Sequence, residues 1–119
     1  MTLSQADLSA EILLEWYFSK KHNAVSFHVF AISDNGYTAH VRDFAPLYDI
    51  PEESATGTAN AALTHYLSVN GVIPAKGDFS FLQGEAMNRP SVIMTRIAEN
   101  GTVYVGGSGY VLAKGEIFV

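Results

Sequence analysis

The fold of this chain is decided by the stretch Glu52-Glu53-Ser54-Ala55-Thr56-Gly57-Thr58-Ala59-Asn60-Ala61-Ala62-Leu63-Thr64-His65-Tyr66-Leu67. Two acids and a small glycine-containing loop lead directly into a predicted helix whose side chains are almost all apolar. A helix that is apolar nearly all round is buried on nearly all sides, so we expect it at the centre of the fold. Asn70-Gly71 supplies a stop signal for this helix, and Pro74 follows shortly after.

The start of this helix is also the first candidate functional site. The first amides of a helix have no partner within it and point beyond its N-terminus, so Thr56 to Ala59 is a ready anion site. Gly57 lets a ligand approach the backbone closely, while Thr56 and Thr58 can cap the helix or donate a hydroxyl. The same residues also fit a plain N-cap and turn, and that alternative stays open.

Among the carboxylates, Glu53 stands out because it precedes the helix start by a few residues. The helix dipole favours the ionised form of an acid at that place. The alternative is that Glu52 and Glu53 together only complement the dipole. A nucleophilic Thr56 or Thr58 would need a base within hydrogen-bond reach, and no base is placed there by the sequence, so nucleophilic catalysis is not favoured.

The other predicted elements give the order αββαββββ. Ser4 can cap a predicted first helix over about residues 5–19, and two predicted strands joined at Asn35-Gly36 indicate a β-hairpin. A loop through Ile50-Pro51 then leads to the central helix. The predicted strands are Val25 to Ile32, Tyr37 to Phe44, Asp78 to Gln83, Ser91 to Ala98, Thr102 to Val105 and Tyr110 to Val119. The economical packing is an α+β fold, in which a strongly curved sheet wraps around one central apolar helix.

Composition limits the function further. We expect one domain over residues 1–119, because the length suffices for a core and no linker or repeat interrupts it. The net charge of -5, without a cluster of Lys and Arg, argues against nucleic acid and anionic membranes as partners. No apolar run is long enough to span a bilayer and no signal peptide is visible, so we expect a cytoplasmic protein. The absence of cysteine excludes disulfides and thiol catalysis.

Three further motifs favour structure over chemistry. Gly106-Gly107-Ser108-Gly109 follows a predicted strand but precedes another strand, so it predicts a tight corner and no phosphate loop. The four histidines lack metal-ligand spacing, and we expect no metal and no cofactor. We interpret His65 as a buried or rim residue of the central helix. Glu85 and Arg89 have the spacing for an ion pair within a loop, which is worth little on a surface.

Four groups of residues carry a resemblance to a known family. They are Arg42-Asp43-Phe44-Ala45-Pro46, then Glu53 to Ala59, then Gln83-Gly84 with Met87 and Arg89-Pro90-Ser91, and finally Val103 to Gly107 with Gly115-Glu116-Ile117. In this order and spacing the chain resembles the second half of phenazine-biosynthesis isomerase (PhzF-like) proteins, from residue 5 onward. The resemblance implies one lobe of a diaminopimelate epimerase-like fold, in which a mixed sheet surrounds a central helix and the active site lies between two lobes.

The resemblance also implies roles for residues. The central helices of such proteins direct their N-termini at a substrate carboxylate, which here implies binding by Thr56, Gly57, Thr58 and Ala59. The family's second lobe contributes an aspartate where this chain has Glu53, and a serine where it has Thr58. Thr56 lies where the epimerase relatives carry a catalytic cysteine, so two-thiol racemisation is impossible here. The isomerase reaction that the resemblance implies is a proton transfer without a cofactor.

The lobe that carries the family's acid/base glutamate has no counterpart in this chain. Proton transfer requires a group within reach of the carbon, and by resemblance Glu53 is the only such group here. Three hypotheses follow: a PhzF-like isomerase lobe that is active only with a separate first-lobe chain, a homodimeric module that binds a small carboxylate-bearing metabolite, or a truncated relic without activity. An exposed cleft and open sheet edges favour association in each case.

Overall fold

The computed structural model describes residues 20–118. The helix that we expect over residues 5–19 lies outside the described residues. Within them the chain forms six strands and one long helix, with a short 3-10 turn at Pro46–Tyr48 and another at Glu85–Met87. In chain order the elements are β1 (Phe27–Ile32), β2 (Ala39–Ala45), β3 (Ile50–Glu53), α1 (Gly57–Val69), β4 (Gly77–Gln83), β5 (Ser91–Ile97) and β6 (Val103–Gly106).

The six strands form one mixed sheet in the order β1-β2-β4-β5-β6. Strands β2 and β4 pair in parallel, and the other neighbours pair antiparallel. Strand β3 pairs with the second half of β2, after a register shift between Asp43 and Ala45. The α+β class and the mixed sheet predicted from the sequence are therefore confirmed.

One face of the sheet carries the core beneath α1. Ala39 and Val41 of β2 and Phe81 of β4 pack with Leu63 and Leu67 of α1, and all five are buried. Because side chains alternate along a strand, the helix-facing positions of β2 continue to Asp43, and those of β4 continue to Gln83. The sheet therefore places two polar side chains beneath the first turn of the helix.

The prediction that α1 is buried nearly all round is wrong for the described residues. Its buried positions, Asn60, Leu63, Thr64 and Leu67, form a single face. The opposite side is solvent-exposed at Thr58, Ala62, His65, Tyr66 and Val69, and we call these five residues the exposed stripe. The interpretation of His65 as buried or at the rim is wrong as well. The helix contacts β5, β6 and β1, so strands at both ends of the sheet reach it; complete wrapping stays a prediction.

The predicted strands match the observed ones to within two residues at each end, with two exceptions. Residues 50–53 form the strand β3 where we expect a loop, because they pair with the free second half of β2. Residues 110–118 contain no strand, although their composition predicts one, and Tyr110 is 90% exposed. A strand forms only when a partner edge accepts its backbone hydrogen bonds, and propensity alone does not provide one.

The hairpin turns follow their local sequences. Gly36 and Gly101 both have positive φ, at 96° and 80°, which is the backbone conformation that each turn requires. Gly84 also has a positive φ of 81°, and a Cβ there would lie 2.3 Å from the carbonyl oxygen of Arg89 and 2.8 Å from that of Ser54. Only glycine therefore permits this close approach of two loops beside the start of α1.

Candidate functional site

The N-terminus of α1 begins at Thr56, whose backbone is extended, with φ -131° and ψ 107°. Its hydroxyl does not cap the helix. Instead it donates to Asp43 Oδ2 at 3.2 Å and accepts from Gln83 Nε2 at 2.9 Å. The residue that the sequence offers as an N-cap is thus turned towards the sheet.

Gln83 is fully buried, and it connects the loop before α1 to the first turn of the helix. Its Oε1 accepts from the Thr56 amide at 3.2 Å and from Asn60 Nδ2 at 3.0 Å. Its Nε2 donates to the Glu53 carbonyl at 2.8 Å in addition to the Thr56 hydroxyl. Both the oxygen and the nitrogen of the Gln83 side-chain amide are therefore hydrogen-bonded, and a buried polar group stabilises a fold only under this condition.

These contacts leave the first helical amides free. A helix start has four N–H groups without an intrahelical partner, and Gln83 satisfies only that of Thr56. No side chain caps the helix, and no described residue accepts from the amides of Gly57, Thr58 or Ala59. Three donors at the positive end of the helix dipole are therefore without an acceptor among the described residues, and such a group of donors can bind an anion.

A buried carboxylate and a histidine lie next to this terminus. Asp43 is 4% exposed, and its Oδ1 lies 3.0 Å from His28 Nδ1, its partner across the β1–β2 pair. Since Nδ1 donates to this carboxylate, a neutral His28 presents Nε2 as an acceptor. Nε2 is buried and has no hydrogen-bond partner among residues 20–118. Asp43 thus holds His28 on one side and the Thr56 hydroxyl on the other.

The predicted catalytic acid Glu53 ends β3 and is partly exposed. Its Oε1 accepts from the Ser54 amide at 3.0 Å, so the carboxylate lies against its own loop. Thr58 is solvent-exposed, and its hydroxyl makes no hydrogen bond to any residue that the structure describes. Thr56, Gly57, Thr58 and Ala59 are brought together as the first residues of α1, with Thr56 turned inward.

Glu52 is paired with Arg42 and does not complement the dipole of α1. Arg42 Nε and Nη2 donate to its two carboxylate oxygens at 2.8 Å each, and both side chains are buried. The Arg42 guanidinium also lies 4.9 Å from the centroid of the Phe44 ring. This bidentate pair ties β2 to β3 and leaves Glu53 as the one acid of the Glu52-Glu53 pair that a ligand can reach.

Other predicted polar contacts differ in the structure. His28 and His40 lie on opposite faces of the hairpin, because their register partners are Asp43 and Ala31. His40 Nδ1 contacts Glu85, and the expected Glu85–Arg89 ion pair is not formed among residues 20–118. In the same range, no cluster of three or more His, Asp or Glu residues is suited to a metal ion.

A second concave surface lies beside β5 and β6, with a volume of about 630 Å³. Its lining includes Asp78, Arg96 and Tyr104, and it contains no residue of α1. Arg96 donates to the exposed Asp78, and this hydrogen bond lowers the pKa of the carboxyl below its usual value. Because this shift comes from a surface ion pair, it does not indicate a reactive group.

The sequence did not reveal Asp43, His28, Gln83 and Asn60 as parts of the site. The available signal was a polar residue at a helix-facing position of an otherwise apolar strand, as at Asp43 and Gln83. Recognising this signal requires the pairing register of the strands, which depends on contacts between distant segments.

No helix in the described part of the chain is long and apolar enough to cross a bilayer.

Comparisons with known proteins bear on this site. The family model for phenazine biosynthesis-like proteins (PhzC-PhzF) matches residues 5–115. An uncharacterized isomerase of Deinococcus radiodurans is 35% identical over 105 residues, which are 82% of this chain and 33% of that protein. The trans-2,3-dihydro-3-hydroxyanthranilate isomerase of Pseudomonas chlororaphis is 35% identical over 104 residues, 81% of this chain and 37% of that protein. The chain thus spans about a third of the length of these relatives.

Proposed function

The chain belongs to the family of phenazine biosynthesis-like proteins, and on that premise we propose that it acts as one lobe of a PhzF-like isomerase. The lobe binds a small carboxylate-bearing metabolite at the N-terminus of α1. It takes part in cofactor-independent proton transfer only when a first lobe completes the cleft. That first lobe comes from a separate chain or from a further part of the same protein.

One observation carries the binding proposal: Asp43 and Gln83 hold the Thr56 hydroxyl away from the helix. An N-cap that bonded the second or third helical amide would compete with a ligand for that donor. Here the amides of Gly57, Thr58 and Ala59 stay available, and the free Thr58 hydroxyl adds a fourth donor. A planar carboxylate has two oxygens that accept from such a group of donors.

For the chemistry we propose Glu53 as the residue of this lobe that contacts the reacting part of the substrate. Its carboxylate is partly exposed and its only hydrogen bond among the described residues is to the Ser54 amide. A ligand with a hydrogen-bond donor can replace the Ser54 amide as the partner of this carboxylate, because only one hydrogen bond is lost. By itself Glu53 supplies one proton-exchanging group, and an isomerisation needs a proton removed at one carbon and delivered at another.

A second candidate function is a non-catalytic, homodimeric module that binds small acids. It is favoured because Glu53 is the one partly exposed carboxylate among the described residues at this terminus, while Asp43 is buried and bound to His28 and Thr56. Both functions share the same carboxylate site. They differ in whether a completed cleft moves a proton.

A chimera separates the two candidates. Residues 5–115 replace the matching segment of the Pseudomonas chlororaphis isomerase, and turnover of that relative's substrate is followed by absorbance. We expect a folded chimera that isomerises this substrate, no turnover by the isolated chain, and a loss of about 10²–10⁴-fold in kcat with Glu53→Gln. A chimera that folds and binds the substrate but does not isomerise it would refute the isomerase proposal and leave the binding module.

A further inference from the structure

Three asparagines of this chain directly precede a glycine, and each pair lies at a solvent-exposed turn or loop. The pairs are Asn35-Gly36, Asn70-Gly71 and Asn100-Gly101. An asparagine in this position can react with its own backbone, because glycine has no side chain to shield the next amide nitrogen from the asparagine Cγ. Each pair is therefore a potential site of self-modification.

The reaction proceeds in two steps. In the first, the glycine nitrogen forms a bond to Cγ of the asparagine, the bond from Cγ to Nδ2 breaks, and Nδ2 takes up the amide proton and leaves as ammonia. The product is a cyclic imide. In the second step, water opens the ring at either carbonyl carbon and leaves aspartate or isoaspartate. Water is the only co-reactant.

The backbone amide of the glycine distinguishes the three pairs. The Gly71 amide donates to the Ser68 carbonyl at 3.0 Å. The Gly101 amide donates to the Ala98 carbonyl at 2.9 Å. The Gly36 amide has no acceptor among the described residues. A nitrogen whose N–H is hydrogen-bonded must first lose that bond before it attacks, so of the three only the Gly36 nitrogen is available in the folded chain.

The side chain of Asn35 is held in an arrangement that favours this attack. Its Oδ1 accepts from the Ser33 hydroxyl and lies 3.2 Å from His40 Nε2. His40 Nδ1 lies 2.5 Å from Glu85 Oε2, so a protonated imidazole donates to Glu85 and to Asn35 at once. Donors at Oδ1 polarise the side-chain carbonyl and stabilise the negative charge that develops on this oxygen during attack.

The other two asparagine side chains are held differently. Asn70 Nδ2, the atom that would leave, donates to the Tyr66 carbonyl at 2.7 Å at the end of α1. Asn100 Oδ1 accepts from the Thr102 amide at 3.1 Å, and this is its single donor among the described residues. Neither pair therefore combines an activated side chain with an available glycine nitrogen.

We infer that Asn35-Gly36 is a site of selective self-deamidation in the folded chain. The product places a new carboxylate beside His40 and adds one negative charge to the net charge of -5. Isoaspartate also lengthens the loop between β1 and β2 by one backbone carbon. The reaction involves no residue at the start of α1, so it does not depend on the proposed isomerase function.

The test compares the three asparagines in the native chain and in the chain unfolded by guanidinium. Both samples are incubated at the same neutral pH and temperature, and peptide mass spectrometry with chromatographic separation follows aspartate and isoaspartate at each position. In the unfolded chain we expect similar rates, because each asparagine precedes glycine. In the native chain Asn35 should react at least about tenfold faster than Asn70 and Asn100, whose glycine amides must first open.

Two substitutions test the donors on Asn35. Ser33→Ala and His40→Ala each remove one donor, and each should slow deamidation of Asn35 in the native chain about threefold or more. The controls Ser108→Ala and His65→Ala remove the same residue types at exposed positions elsewhere and should leave this rate unchanged. Circular dichroism checks that each variant is folded.

Two results would overturn the inference. The first is a native chain in which Asn70 or Asn100 reacts as fast as Asn35, because selectivity would then not follow the state of the glycine amide. The second is an Asn35 rate that neither Ser33→Ala nor His40→Ala lowers, because the two donors would then play no part.

Discussion

Gly84 shows at the scale of one residue how the site depends on a close backbone approach. It follows the buried Gln83, and its missing side chain lets the loop at Arg89 and the loop at Ser54 meet. Gly101 has nearly the same positive φ, but a Cβ there would have no neighbour within 4 Å. Substitutions at these two glycines therefore distinguish the cost of a left-handed backbone from the cost of a steric clash.

We predict that Gly84→Ala destabilises the chain far more than Gly101→Ala. Both substitutions incur the cost of a left-handed backbone, about 1–2 kcal/mol. Only the first also drives a methyl group into two carbonyl oxygens, so we expect a total loss of about 3–5 kcal/mol. Urea unfolding followed by circular dichroism measures both values. Equal losses for the two variants would contradict the close approach at Gly84.

Individual residues also mark the limit of what the sequence reveals. Gly57 and Thr58 are predictable as parts of a helix start, because capping and glycine signals are local. The hydroxyl of Thr56 is not, since its direction is set by Asp43 and Gln83, which lie 13 and 27 positions away in the sequence. Whether a helix terminus is capped or free thus depends on residues that no local pattern connects to it.

At the scale of elements, α1 supplies the donors through its backbone, and backbone donors are removed only by proline. Gly57 occupies the first helical position, where proline is well tolerated. The extended conformation of Thr56 is also the one that a residue before proline prefers. Gly57→Pro therefore removes one of the three free amides and keeps the helix, while Gly57→Ala keeps the amide and adds only a methyl group.

We predict that Gly57→Pro weakens binding of 3-hydroxyanthranilate, a small carboxylate, about tenfold or more. A hydrogen bond to a charged group contributes about 1.5–3 kcal/mol, and about 1.4 kcal/mol corresponds to a tenfold change in Kd. Gly57→Ala should change Kd by no more than about twofold, because its Cβ meets only Val105, at 3.4 Å. Isothermal titration calorimetry compares the three proteins. Equal affinity of the proline and alanine variants would exclude the Gly57 amide as a ligand donor.

The strands show which elements a sequence can predict. The hairpin of β1 and β2 is predictable because its turn and its alternating pattern are both local. Strand β3 is missed because Ile50–Glu53 becomes a strand only through the free half of β2. Residues 110–118 are the converse case, since their composition is typical of a strand and yet they pair with no strand of the described fold.

At the scale of the whole molecule, we propose that the chain is one lobe whose carboxylate site is completed by a first lobe. It spans about a third of the length of its relatives, and the amides of Gly57, Thr58 and Ala59 have no acceptor among the described residues. A site of this kind binds its ligand weakly alone, because one surface supplies all the contacts and solvent competes for the carboxylate. Affinity should increase when a first lobe covers the ligand.

The most direct test of the carboxylate site is a titration of the ¹⁵N-labelled chain with 3-hydroxyanthranilate, followed by amide NMR spectra. We expect saturable shifts of the Gly57, Thr58 and Ala59 amides, with little change at Asp78 and Arg96, which line the second concave surface. Downfield amide proton shifts would indicate hydrogen bonds to the carboxylate. Saturable shifts confined to the β5–β6 surface, or no shift at the start of α1 at millimolar ligand, would contradict a carboxylate site at this helix terminus.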